Sequence, residues 1–228
     1  MKKYTVKEVA ATIDHAVLKP EFTTADVRKH AEMCRKRQVK SMCVRPCDVA
    51  LTAELLAGSG VDVSVVIGFP HGHNRPEVKA LEARLAIADG AKELDMVMNI
   101  GRFLSGDYAA VQKDIEAVVA EAKPHKVIVK VIQESCFLTL EQVAKACQIS
   151  EAAGADFVKT STGFASGSAT PEIIDVMIKT VGGRMGIKPS GGIRDWNKAV
   201  AYLEQGATRL GVGSTEAVLD GGVANGDY

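Results

Sequence analysis

Three lysines stand out because each closes a short apolar run: Lys130 after Val127-Ile128-Val129, Lys159 after Phe157-Val158, and Lys188 after Met185-Gly186-Ile187. The end of a buried strand is a poor place for an ammonium, since desolvation favours the neutral amine and like charges nearby push the same way. A neutral lysine can attack a carbonyl carbon and hold it as an imine. Lys159 is the candidate nucleophile, because it runs directly into Thr160-Ser161-Thr162-Gly163, a turn of small residues whose amides can face an anion. Lys188 occupies the corresponding place one repeat later and is read as the cation that perturbs it. Asp95, at the end of Glu93-Leu94-Asp95, supplies a carboxylate able to move protons directly or through water. Spacing alone leaves a second reading of Asp95 and Lys188 open, an ion pair that neutralises the site. Asp14 and Cys43 share the strand-end position, with Cys43 read as a lining or core thiol because no histidine stands in matching context.

A separate signal concerns phosphate. Gly191-Gly192 follows Lys188, and Gly211-Val212-Gly213-Ser214-Thr215 precedes a short helical segment. Glycines let backbone amides approach an anion, and a helix start adds a favourable dipole. Tight turns without a ligand are the competing reading. His71 and His73 lack a neighbouring carboxylate or thiol in sequence, so no metal centre is expected there.

These residues need a scaffold that gathers strand ends. Short β-branched runs at 12–15, 40–44, 62–67, 93–98, 127–132, 157–159, 185–188 and 209–212 alternate with segments of helical period. Eight alternations without a low-complexity linker predict a single α/β domain over residues 1–228, a (β/α)8 TIM barrel. Thr5 with Glu8, Asn74 with Glu77 and Thr139 with Gln142 have capping-box spacing, and Thr170 precedes a first-turn Pro171. Thr5 therefore predicts a short N-terminal helix before the first strand. Val111, Ile115, Val118 and Val119 form one apolar stripe. Residues 221–228 read as a mobile glycine-rich tail, and Tyr228 at its end is a candidate proton donor if the tail folds over the barrel mouth.

Lysine plus arginine number 28, as do aspartate plus glutamate, so no global field favours nucleic acid or an anionic membrane. No run of eighteen apolar residues and no leader-like segment occurs. Five scattered cysteines without a Cys-x-x-Cys pair suit a reducing cytoplasm.

The motifs together resemble the deoxyribose-phosphate aldolases, a class I family. The similarity rests on Ile13-Asp14-His15 with Leu18-Lys19-Pro20, Ile67-Gly68-Phe69-Pro70 with Gly72, Glu93 to Val97, Lys130-Val131-Ile132, Asp156 to Phe164, and Gly186-Ile187-Lys188 with Ser190-Gly191-Gly192-Ile193-Arg194. His71, Gln133 and Pro189 depart from the usual pattern. The resemblance implies a Schiff base on Lys159, tuning by Lys188, and acid/base work by Asp95. It places phosphate contacts on Gly163, Gly191, Gly192, Gly211 and Ser214 with Arg194 nearby; Asp14, Cys43 and Lys130, from their strand-end positions, and Thr160 are further candidate substrate-binding residues. The implied reaction is reversible cleavage of 2-deoxy-D-ribose 5-phosphate to acetaldehyde and D-glyceraldehyde 3-phosphate, with no metal or organic cofactor. Phosphorylated sugars and aldehydes would then be the partners, and a homo-oligomer, dimer or tetramer, is compatible with it. Another lysine-imine aldolase, or a barrel that only binds a sugar phosphate, remains the alternative.

Overall fold

The computed structural model describes residues 4–223. Eight parallel strands run β1 Ile13–Val17, β2 Ser41–Val44, β3 Asp62–Ile67, β4 Glu93–Val97, β5 Ile128–Ile132, β6 Phe157–Lys159, β7 Gly186–Lys188 and β8 Leu210–Val212. They pair in the order β7-β6-β5-β4-β3-β2-β1-β8. The last seam closes by hydrogen bonds in place of a full ladder, from Thr208 N to Ile187 O (3.0 Å) and from Gly211 N to Pro189 O (2.9 Å). The result is a (β/α)8 barrel, and every strand predicted from sequence lies within two residues of its observed bounds.

Helices α1 Val6–Ala10, α2 Thr24–Arg37, α3 Val49–Leu56, α4 Pro76–Ala88, α5 Ile100–Leu104, α6 Tyr108–Ala122, α7 Leu140–Ala152, α8 Pro171–Val181, α9 Trp196–Gln205 and α10 Thr215–Leu219 surround it. Capping boxes close the starts of α1 and α7 as the sequence predicts, and Thr170 accepts from Ile173 N at the start of α8. Asn74 does not cap. Pro76 fixes the first helical φ and removes one orphan amide, so the N-cap is Arg75, which makes no side-chain cap bond. Val111, Ile115 and Val118 of α6 are fully buried against the barrel, while Val119 is only partly covered.

Alternation along β1 divides its side chains between two environments. Asp14 points into the barrel. His15 points out, where its Nδ1 meets Thr215 Oγ1 at 2.9 Å and its Nε2 meets His30 Nδ1 at 2.8 Å. Burial, reinforced by His30, pushes the His15 imidazole down to about 3. The unfolded chain binds a proton near 6.5 and the native state does not, so stability must fall as pH drops from about 6.5 towards 3. We expect chemical denaturation at pH 5 to show a loss of about 2 kcal/mol relative to pH 7. His30, also lowered by burial, adds to the same slope. A His15→Gln variant should flatten that slope; an equally steep dependence in the variant would refute the assignment.

Candidate active site

The inner face of the barrel carries a buried ionic network. Lys159 Nζ and Lys188 Nζ both donate to Oδ2 of Asp95, at 2.8 and 2.7 Å, and Lys188 also donates to Asp14. Lys159 and Lys188 are register partners on β6 and β7, which puts their side chains on the same face one strand apart. Lys130 donates to Asp95 Oδ1 (2.7 Å) and lies 2.5 Å from Glu93 Oε2 and 3.0 Å from Asp14 Oδ2. Arg209, just before β8, bridges Asp14 (2.7 Å) and Glu93 (2.6 Å). Ser41 and Ser64 donate to Asp14 and Asp95.

Within this network of described residues, the four cations Lys130, Lys159, Lys188 and Arg209 meet three carboxylates, Asp14, Glu93 and Asp95. The formal excess is one positive charge, so an amine can shed a proton without leaving a bare anion behind. Burial opposes the charge of Asp95 most strongly, but Lys130, Lys159 and Lys188 outweigh it and hold the carboxyl well below its ordinary value. Asp14 is likewise lowered, with Lys130, Lys188 and Arg209 overcoming its burial. Lys130 goes the other way from its burial: Asp14, Asp95 and Glu93 raise it well above the usual lysine value. Lys188 is lowered, by burial first and then by Lys130 and Lys159, against the pull of Asp14 and Asp95.

Depth separates these residues more than their sequence positions suggested. Lys159 and Lys188 are the last residues of their strands, whereas Asp14, Asp95 and Lys130 stand inside β1, β4 and β5. Lys130 is therefore a layer below the mouth, engaged with carboxylates on several sides. Cys43 is buried with Ala16, Leu18, Val66 and Phe69 in a small apolar cluster, and burial raises its thiol further towards the neutral form. Glu93 and Arg209 were not foreseen from the sequence. Glu93 could have been, since it sits two residues from Asp95 on the same strand face.

The glycine turns stand beside this network. Gly191, Gly192, Arg194, Gly211, Gly213 and Ser214 line one shallow recess at the ends of β7 and β8. Gly191 and Gly192 take φ of 80° and 68°, and a Cβ on Gly211 would come within 2.0 Å of Ser190 Oγ. Thr160 stitches its own turn to that recess: its Oγ1 donates to Ser190 O (3.1 Å) and accepts from Ser190 N (3.0 Å). Gly163 lies on the same turn as Thr160, at φ 87°. His71 and His73 stack with centroids 5.3 Å apart, and His71 borders a cavity of about 330 Å³ beside Phe164. Gln133, whose departure from the usual pattern suggested a residue able to modulate the rim, is not at the rim. It is fully buried behind the barrel, with Nε2 3.2 Å from Cys147 Sγ. Tyr228 lies outside the described residues, as do 224–227 of the proposed tail. A cavity of about 520 Å³ opens at the opposite end of the barrel, by Val129 and Asp156. Volume alone would thus have misplaced the site.

A parallel barrel whose mouth holds two buried lysines on one carboxylate, next to a glycine-lined recess, fits an aldolase that works through a lysine imine. The chain belongs to the DeoC/LacD family of aldolases, whose model matches residues 8–224. It is 49% identical over 222 residues to a deoxyribose-phosphate aldolase of Clostridium perfringens (strain 13 / Type A), covering 97% of this chain and 99% of that one. A putative deoxyribose-phosphate aldolase structure from Coccidioides immitis superposes with a TM-score of 0.91 at 35% identity, covering 96% of this chain and 86% of that one. A tetrameric deoxyribose phosphate aldolase from Aeropyrum pernix gives 0.89 at 32% identity, over 95% and 91% of the two chains.

Proposed function

We propose that the protein reversibly cleaves 2-deoxy-D-ribose 5-phosphate to acetaldehyde and D-glyceraldehyde 3-phosphate. The observation that carries this reading is the sharing of Asp95 Oδ2 by Lys159 and Lys188, which keeps one amine beside a proton acceptor and a second cation. Lys159 attacks the aldehyde carbon of the open-chain sugar, and the carbinolamine loses water to give a protonated imine. The imine draws electrons as the proton of the C3 hydroxyl is removed and the C2–C3 bond breaks, releasing D-glyceraldehyde 3-phosphate. The remaining enamine takes a proton at carbon, and water hydrolyses the resulting imine to free acetaldehyde and Lys159. Asp95, through water and Lys188, relays protons at the carbinolamine and enamine stages. Lys130 helps to keep Asp95 ionised, and Asp14, Glu93 and Arg209 hold the lysines around it in place.

The phosphoryl group is assigned to the recess of Gly191, Gly192, Gly211 and Ser214 with Arg194, flanked by the turn carrying Thr160 and Gly163. Cys43 lines the apolar side of the mouth. No helix among the described residues is long and apolar enough to cross a membrane. Cys34, Cys43, Cys47, Cys136 and Cys147 are all free thiols, which suits a cytoplasmic location. We include assembly as a homo-oligomer, dimer or tetramer, in this reading. Analysis of products from 2-deoxyribose 5-phosphate tests the reaction: acetaldehyde and D-glyceraldehyde 3-phosphate in equal amounts support it. Cleavage only of another phosphorylated sugar, or a thermal shift without any product, would replace it.

Removing Lys188 should act through charge. With two ammonium groups on one carboxylate oxygen, each disfavours protonation of the other. Lys188→Leu is expected to move the pH profile of imine formation at Lys159 to higher pH. An unmoved profile would contradict the tuning role.

A further inference from the structure

The residues that follow β5 grip the turn that follows β6. Gln133 N donates to Lys159 O (3.0 Å) and Ser135 N to Thr160 O (2.8 Å), so the two amides flanking Glu134 hold consecutive carbonyls of the neighbouring turn. Glu134 itself is buried and left-handed, with φ 49° and ψ 61°, a conformation that non-glycine residues adopt at a cost of about 1–3 kcal/mol. Its carboxylate accepts from Thr162 N at 3.2 and 3.3 Å and from Thr162 Oγ1. Thr162 Oγ1 in turn accepts from Phe164 N at 3.0 Å.

Two backbone donors of this turn, the amides of Ser161 and Gly163, have no hydrogen-bond partner among the described residues. The amide and hydroxyl of Thr162 are spent on Glu134, and the amide of Phe164 is spent on Thr162. The amide of Gly163 lies between them in sequence. Meanwhile Thr160 ties the far side of the same turn to Ser190, next to Gly191 and Gly192. Glu134 holds the turn at Thr162 from the β5 side and Ser190 holds it at Thr160 from the β7 side, and Gly163 directly follows the residue that Glu134 holds. Glu134 and Thr162 are themselves almost fully buried, which limits the water that could compete for their hydrogen bonds.

We infer that Glu134 is a positioning residue for phosphate recognition: through Thr162 it fixes the turn so that the Gly163 amide donates to the phosphoryl group of the substrate. This rests on the aldolase reading above, which assigns Gly163 to the phosphate end. Glu134 touches no reacting atom in this scheme. Its loss therefore weakens discrimination for the phosphorylated sugar and leaves imine chemistry at Lys159 in place.

The test compares kcat/KM for 2-deoxyribose 5-phosphate with that for unphosphorylated 2-deoxyribose in the wild type, Glu134→Gln, Thr162→Val and Thr162→Ser. Glu134→Gln weakens the acceptor, and Thr162→Val removes the hydroxyl at nearly constant shape, so the second variant serves where the first fails to fold. We expect the ratio to drop tenfold or more in both, mainly through KM, while Thr162→Ser retains it. Borohydride labelling of Lys159 with acetaldehyde, which has no phosphate, should match the wild type throughout. A wild-type enzyme that cleaves the phosphorylated sugar, with a ratio unchanged in folded Thr162→Val, overturns the inference alone. Equal losses on both sugars overturn it too, since they assign Glu134 a general structural role. Failure of the wild type to cleave the phosphorylated sugar overturns the functional reading and this inference with it.

Discussion

Replacing Lys159 with leucine is expected to abolish turnover, with kcat falling at least as far as the removal of a covalent nucleophile from a catalytic unit, on the order of 10⁴-fold or more. No neighbouring amine can substitute. Lys188 is held by Asp14 and Asp95, and Lys130 is saturated one layer below by three carboxylates. The substitution also relieves the positive excess of the network, so the variant should fold with stability close to that of the wild type. Lost activity in a stable protein would then be a chemical effect. Steady-state kinetics beside urea denaturation measures both quantities, and a Lys159→Leu protein retaining more than a few percent of kcat would contradict the account.

Asp95→Asn should damage both chemistry and folding. Asp95 accepts from Lys159, Lys188, Lys130 and Ser64, so it is where the network converges. An asparagine keeps one oxygen, turns an NH₂ towards an ammonium and leaves the buried cations in larger excess. Loss of one member of a buried ionic set typically costs about 3–5 kcal/mol, and loss of a general acid/base about 10²–10⁴-fold in rate. The folded-state carboxyl is held well below its ordinary value, so its contribution is present above pH 3.8 and disappears as pH falls through the folded value. The destabilisation of Asp95→Asn relative to wild type should therefore be full at pH 7 and shrink in strong acid. Near-normal kcat with unchanged stability would remove Asp95 from the mechanism.

The barrel was legible because apolar β-branched runs separated by capped helical segments recur eight times, and buried parallel strands demand such runs. Lys159 and Lys188 were legible for the same reason: each interrupts a run where an uncharged residue would be expected. Depth was not. Whether Lys130 meets the mouth or the layer beneath it depends on strand register, and Lys130 pairs with Phe157, two residues before Lys159. Glu93 and Arg209 escaped because they lie at the amino ends of β4 and β8, where a charge ordinarily reaches solvent; here each neutralises the other inside the barrel. The failed cap at Asn74 shows a spacing rule yielding to Pro76, whose ring sets the helix start. Glu134 was invisible for a different reason. Gln133-Glu134-Ser135 reads as an ordinary polar loop, and only its left-handed backbone turns the carboxylate inward onto Thr162.

The central claim is that Lys159 forms the imine. Borohydride reduction in the presence of acetaldehyde, read by mass spectrometry of the peptide containing Lys159, tests it most directly. The account predicts an ethyl group on Lys159 in the wild type and none on any lysine of Lys159→Leu; an adduct on Lys188 or Lys130, or no adduct at all, would contradict it.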